Sequence, residues 1–488
     1  MHAFLRTGRL VMGQWPIAAL LVLFGILYSF GLNSYGMFLW DEAEYASIGR
    51  SVLHGQGFAI SGVPNKLRPP ILPLAGAAGL FLFGEQSGDL VLRGIAGGFA
   101  LLALLCVYGF ATAGFDRTTG FAAAALLGMS PFFWTYVPYF LSEIPFLLFF
   151  TAAVWCFYFG AYRDQRFFLW SWIFWALAFL TRYTASLFLP VILLFIALAW
   201  WRGGADTRRR LMSRWFFLSP LAGLLLLAPW FGREYIAFGN ALAGLKQASQ
   251  QLQVYMPEIS MPWNYYLRRM PALLSLGIAV LFAAGLIWAV CRRDRFSLHN
   301  VLVAAVILAW FSCYRYKEDR MVSSALPFMA VVAAVFLGQA WPKLRPPARG
   351  AVLAVLLAGI FFLNLRIIRP VLEHRVTLGY PGFLDGMAFL RENASPGAVV
   401  LGANFPQIHW YTNLRAEDIP EENELPEALR HSEWVVITNF EPAQKPYVLS
   451  LAHLVPLDPT SHESAVFRDK DLATVVVRSQ KLLQALGR

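Results

Sequence analysis

Three carboxylates crowd one short stretch of this chain: Asp41, Glu42 and Glu44 in "WDEAEY", directly after the first membrane-length apolar run. Acids so grouped can take a proton from a hydroxyl, orient a polyol or hold a cation. They can also do no more than start a helix. Asp41 as N-cap with Glu44 three residues on reads as a capping box, and acids favour helix N-termini. Their setting argues for more than capping, since charge beside a bilayer is costly and tends to mark a functional site.

A second group is cationic. Arg68 stands in "NKLRPPILPL", before two prolines and a short apolar run, where the plain alternative is a turn with a snorkelling arginine. Lys317, Glu318 and Arg320 belong to "YRYKEDR", a turn too short to carry its charges far from the headgroups. Arginine as a bidentate fork and lysine as a point charge suit a phosphate there. Glu143 in "SEIP" and Arg182 in "LTRYT" read equally well as an ion pair between two helices and as direct substrate contacts.

The elements that must carry these residues follow from composition. With 58% hydrophobic and 14% charged residues over 488 positions, the chain lies far outside the soluble range and reads as a polytopic α-helical membrane protein. Apolar blocks near 15–33, 90–112, 119–135, 143–160, 168–182, 185–201, 215–231, 272–291, 299–313, 321–338 and 350–367 have the length that a helix needs to cross about 30 Å of hydrocarbon. The run 71–83 is shorter and suits an interfacial helix in the first outer loop. Eleven spans place Arg6, Arg9, Arg163, Arg166, the triplet Arg208 to Arg210, Arg292, Arg293, Lys343 and Arg345 on one side. That is the positive-inside pattern, with the N-terminus cytoplasmic and the C-terminus outside. A net charge of +11 therefore speaks of orientation, and no nucleic acid is expected.

The acids and the second cationic group fall together on the outer face in this threading. From about 371 the character changes: "FLDGMAFLRENASPGAVVLGA", "EWVVITN" and "ATVVVRS" alternate a helix with β-rich runs, so 371–488 is expected to be a small extracytoplasmic α/β domain beyond a membrane domain of 1–370. Cys106, Cys156, Cys291 and Cys313 lie in or beside apolar blocks with no metal-ligand spacing and are expected to be buried thiols. "DKD" at 469–471 imitates a nucleotide–metal motif but precedes a tail strand, and it reads as a solvated turn.

A first outer loop with "DEAEYA", a basic-Pro-Pro turn opening a short helix, "LTRYT" and a late "KEDR" turn before "ALP" together resemble the membrane glycosyltransferases of the GT-C class. Within that class the likeness is to the superfamily of dolichyl-phosphate-mannose protein mannosyltransferases and aminoarabinose lipid A transferases. It covers roughly 10–367, and the tail looks like the outer domain of many members. The resemblance implies transfer of a sugar from a polyprenyl-phosphate donor to a hydroxyl on a protein, glycolipid or envelope polysaccharide, with inversion. It makes Asp41 and Glu42 the catalytic positions, with Asp41 as base. It puts Arg68, Lys317 and Arg320 on the donor phosphate, and Glu44, Glu143, Arg182 and Glu318 in support of the site. Where relatives often carry arginine, this chain has Glu44. No cofactor is required, though a divalent ion on these acids with His54 stays open. The expected partners are donor, acceptor and membrane lipids, at the plasma membrane. The rival reading is a transporter or flippase of lipid-linked sugars, which would show pseudo-symmetric halves and charges near mid-membrane.

Overall fold

The computed structural model describes residues 15–30, 32, 36, 37, 39–254, 260–339, 346–377, 381–439, 445–454, 463–469 and 472–487. Of the residues named above, Arg6, Arg9, Lys343, Arg345, Lys470 and Asp471 lie outside them. In chain order the first helices are α1 (Trp15–Ser29), α2 (Trp40–Leu53), α3 (Ile71–Phe83), α4 (Gly88–Gly114), α5 (Arg117–Gly128), α6 (Pro131–Tyr136), α7 (Glu143–Tyr162) and α8 (Phe167–Phe179). A ribbon of β1 (Ala59–Ile60) and β2 (Val63–Pro64) joins α2 to α3. Then follow α9 (Phe188–Arg202), α10 (Ala205–Leu211), α11 (Arg214–Phe238), α12 (Ala243–Val254), α13 (Tyr265–Leu274), α14 (Leu276–Arg292), α15 (Arg295–Ser312), α16 (Leu326–Gln339) and α17 (Pro346–Thr377).

Among the described residues, seven helical stretches are long and apolar enough to cross a bilayer: Gly88–Gly114, Glu143–Tyr162, Tyr183–Arg202, Ala205–Phe238, Arg295–Ser312, Asp319–Gln339 and Gly350–Glu373. α13 and α14 meet the same test only together, bent by 114°. Of the eleven spans expected, seven or eight stretches among the described residues reach full length, and α1 and α8 are apolar but shorter. Two local causes are visible. Ser275 turns the chain at a φ of 75°, so α13 lies across α14 and the block 272–291 starts inside the earlier helix. The block 119–135 is two helices, because Pro131 lacks an N–H and opens α6 after Ser130. The run 71–83 is a 13-residue helix, as its length suggested.

The chain divides into two compact units. The first takes the described residues of 1–30, 66–72 and 93–373. At its centre α7 and α16 are apolar all round and buried on almost every face, which is how a helix without a polar side must sit. Helices α11 and α17 instead expose Leu224, Leu225, Val355 and Phe362, a surface suited to acyl chains and ill suited to water. Close approach sets the packing. Gly285 of α14 touches α16 so tightly that a Cβ there would lie 2.0 Å from the Val332 carbonyl oxygen. Asp116 caps α5 by accepting from the Thr119 N–H at 2.7 Å, and its other oxygen holds Gln339 at 3.0 Å. The thiols divide: Cys156 is buried and Cys106 half-buried, while Cys291 and Cys313 are exposed at helix ends, so the expectation of four buried thiols fails for these two.

The second unit takes the described residues of 31–65, 73–92 and 374–488. Its sheet has the order β4-β3-β5-β7-β6, built from β3 (Val399–Gly402), β4 (Arg415–Glu417), β5 (Trp434–Thr438), β6 (Ser464–Asp469) and β7 (Leu472–Arg478). β3 runs parallel to both neighbours, and β5, β6 and β7 pair antiparallel. Helix α18 (Pro381–Asn393) packs one face of the sheet through Phe383, Met387 and Leu390. α19 (Phe405–Thr412) follows β3, and α20 (Leu425–His431), α21 (Pro446–Leu454) and α22 (Ser479–Ala485) complete the tail. β5 is buried along its whole length, as a central strand covered on both faces must be.

α2 belongs to this same unit and packs on α19. Trp40 meets Phe405 edge-on at 4.7 Å between centroids. Arg50 donates to the carbonyls of His409 and Trp410 at 2.8 Å each and lies over the Trp410 ring. Asp89 accepts from Trp410 Nε1 at 2.8 Å and from the Tyr411 hydroxyl at 2.7 Å. On its other side α2 meets α3 closely, since a Cβ at Gly49 would lie 3.0 Å from the Pro73 carbonyl oxygen.

Candidate functional site

In the first unit the cationic turns are drawn to one carboxylate. Glu143 begins α7 and is 1% exposed. Its Oε1 takes Arg182 Nη1 at 2.5 Å and lies 3.8 Å from Arg320 Nη1. Arg182 also donates to Ser142 Oγ at 3.1 Å. Arg320 in turn holds Glu318 through Nε, and Glu318 accepts from the Tyr316 hydroxyl at 2.6 Å. Glu143 Oε2 is buried with no hydrogen-bond partner among the described residues, one acceptor left in a place where desolvation is expensive. The pairing of Glu143 with Arg182, one of two readings open from the sequence, is present.

Arg68 sits half-buried in the turn that opens α3. Three residues on, the Ile71 N–H bonds the Leu180 carbonyl at 3.0 Å, which docks this turn against the one bearing Arg182. Lys317 behaves differently from its neighbours. It is 2% exposed, and its ammonium donates to the carbonyls of Met261, at 3.0 Å, and Tyr314. Desolvation lowers its pKa, and its two hydrogen bonds brace its own loop against the segment before α13.

Sequence reasoning missed an outer ring around this cluster. Asp319 receives Arg269 through Nε at 3.1 Å and Nη2 at 2.5 Å, a two-point fork, and Tyr265 donates to it at 3.2 Å. Tyr266 reaches the Glu318 carbonyl at 3.2 Å. Tyr136, at the end of α6, has its pKa raised by burial first and by Glu143 second, so its phenol stays protonated. The alternation of tyrosines and charges in "YYLRR" and "YRYKEDR" was the available signal.

In the second unit Leu39, not Asp41, is the N-cap residue, and α2 starts at Trp40. Glu42, rather than Glu44, reaches back and accepts from the Leu39 N–H at 3.3 Å, so the capping box read on Asp41 and Glu44 is shifted. Glu42 is fully buried, Glu44 is 7% exposed and Asp41 is half-buried. Asp41 and Glu44 share a helix face, three residues apart. His54, at the other end of α2, pairs with Glu85 at 2.9 Å. Among the described residues no three His, Cys, Asp or Glu side chains gather as a metal site needs.

Residues 67–232 match the sequence model of the family described as dolichyl-phosphate-mannose-protein mannosyltransferase, a window that holds Arg68, Glu143 and Arg182. An uncharacterized protein of Aquifex aeolicus (strain VF5) is 24% identical over 317 residues, or 64% of this chain. The match spans 62% of that relative's length, under two thirds. Among solved structures, ArnT from Cupriavidus metallidurans bound to undecaprenyl phosphate aligns with a TM-score of 0.72 at 15% identity, over 97% of this chain and 98% of that one. The Archaeoglobus fulgidus oligosaccharyltransferase, tethered with an acceptor peptide, aligns with a TM-score of 0.59 at 13% identity, over 87% of this chain and 69% of that one.

Proposed function

We propose that this chain, which carries the GT-C fold, is a multi-pass glycosyltransferase of the plasma membrane that moves a sugar from a polyprenyl-phosphate donor to a hydroxyl acceptor. The acceptor lies on a protein, a glycolipid or an envelope polysaccharide, and the transfer inverts the anomeric centre. The N-terminus is cytoplasmic, and the α/β tail and the chemistry are extracytoplasmic. What carries the reading is one coincidence: a fold shared along nearly the whole chain with a polyprenyl-phosphate-bound structure, and arginines gathered at the end of a membrane-length helix.

In this mechanism Asp41 accepts the proton of the acceptor hydroxyl as its oxygen attacks the anomeric carbon. The bond from that carbon to the phosphate oxygen breaks, and the electron pair leaves with the polyprenyl phosphate. Arg68 and Arg320, with Lys317 bracing the late turn, stabilise the charge growing on that phosphate. Glu143 restrains Arg182 and Arg320, so that little reorganisation is needed at the moment of transfer. Glu42 and Glu44 orient the acceptor and tune the base, Glu318 positions Arg320, and no divalent ion is required.

The test is transfer by the full chain reconstituted with polyprenyl-phosphate sugars and an acceptor extract from the envelope. Asp41→Asn, matched to the wild type in expression and melting behaviour, should lose about a hundredfold or more of its turnover. Near-normal turnover would remove Asp41 from the mechanism.

A further inference from the structure

Helix α7 has a second polar end. Glu143 opens it and Tyr162 closes it, 20 residues or ~30 Å away, which is the thickness of the hydrocarbon core. At Tyr162 two distant loops converge: Arg210 donates to its carbonyl at 3.2 Å, and Arg295 lies over its ring at 5.8 Å. The short helix α10 adds Arg208 and Arg209, both exposed, and Arg202 and Arg214 flank it.

The surroundings of these arginines are amphiphilic. Trp200 and Trp201 end an apolar membrane-length stretch and are 47% and 73% exposed. Arg202 stacks on Trp201, Arg214 on Trp215, and Arg208 both stacks on Trp200 and donates to its carbonyl at 2.9 Å. Directly after Arg214, α11 turns Phe217, Leu218 and Leu221 outward. A tryptophan girdle marks the depth where headgroups lie. The acids of these stretches are Asp206 in the first turn of α10, and Asp164 and Asp294, which accept the backbone N–H groups of Arg166 at 3.0 Å and Ser297 at 2.7 Å; they are outnumbered by Arg202, Arg208, Arg209, Arg210, Arg214 and Arg295.

We infer that this arginine–tryptophan patch is a binding site for anionic phospholipid, its guanidinium groups taking the headgroup phosphate and the outward face of α11 taking an acyl chain. Free phosphate has the same head chemistry, but the adjoining girdle and apolar face suit an amphiphile. Guanidinium forks pair with phosphate oxygens in two-point geometry, which an ammonium cannot match. The site lies at the opposite end of α7 from the proposed transfer chemistry, and it needs no sugar donor.

The test uses the full chain in neutral detergent and in nanodiscs of phosphatidylcholine, alone or with an equal part of phosphatidylglycerol. Native mass spectrometry reads the lipid retained. Phosphatidylglycerol should be held in preference, and added salt should weaken it. The triple variant Arg208→Gln, Arg209→Gln, Arg214→Gln should lose about a hundredfold of that affinity, at roughly fivefold for each arginine. Equal retention of the two lipids, or unchanged retention in the variant, would overturn the proposal. Displacement by millimolar inorganic phosphate in detergent would also overturn it, by assigning the patch to a soluble anion. If the glutamine variant does not insert, the triple lysine variant decides. It should hold phosphatidylglycerol severalfold less tightly than the wild type, and equal retention would end the idea.

Discussion

At the scale of single residues, the chain separates charges that act from charges that hold. Arg320 touches two carboxylates, Glu143 and Glu318, and stays about a third exposed. Under the proposed mechanism, Arg320→Ala should raise the donor KM by about ten- to a hundredfold, the loss expected of one charge-assisted hydrogen bond. Steady-state kinetics with the polyprenyl donor varied is the measurement, and an unchanged KM would make the late turn purely structural. His409 offers a test that does not involve transfer. Burial first, and then the Arg50 guanidinium, lower its pKa below 6.5, against a raising contribution from the Leu414 carbonyl at 2.8 Å. A depressed folded pKa means that the fold keeps the neutral imidazole. Its contribution is therefore full above pH 6.5 and is lost as pH falls through the folded value. Melting temperature should decline on acidification below that point, and His409→Asn should flatten the decline.

Among the elements, contacts of backbone on backbone govern the bundle more than any ion pair does. Because the Gly285 position leaves no room beside the Val332 carbonyl, Gly285→Ala should force α14 away from α16. It should cost about 1–3 kcal/mol, visible as a lower melting temperature, whereas the same change at Gly350, where nothing lies within 4 Å of the Cβ position, should cost far less. This contrast also shows what was legible in the sequence and what was not. The apolar blocks 90–112, 143–160 and 299–313 announced α4, α7 and α15 nearly to their ends, because a bilayer dictates length and composition together. The bend at Ser275 was hidden, since serine at positive φ is set by tertiary packing and has no pattern of its own. The start of α2 slid by two residues because either Glu42 or Glu44 can reach back to an unpaired N–H, and only the register decides between them. Glu143 and Arg182 were legible as partners from the ends of their blocks. The ring of Tyr136, Asp319 and Arg269 was not, because the alternation of tyrosines and charges in "YYLRR" and "YRYKEDR" marks an interfacial turn without saying which carboxylate its charges meet.

For the whole molecule, the salient fact is that the tail folds with the first loop. α19 receives Arg50 from α2, supplies Trp410 and Tyr411 to Asp89, and covers Trp40 with Phe405. Removal of 374–488 should therefore do more than delete an appendage. It should unfold α2 and abolish transfer, with new protease cuts between 40 and 65 as the direct readout, and an intact, active truncation would contradict this. Arg50 and the carbonyls it holds are 359 and 360 residues apart in sequence. At a synthesis rate of about 5–20 residues per second, the loop waits some tens of seconds for α19 to leave the ribosome. A nascent chain cut short between residues 65 and 405 keeps the acids of α2 but never the clamp that holds this helix, so the second unit stays unfinished until α19 has been made.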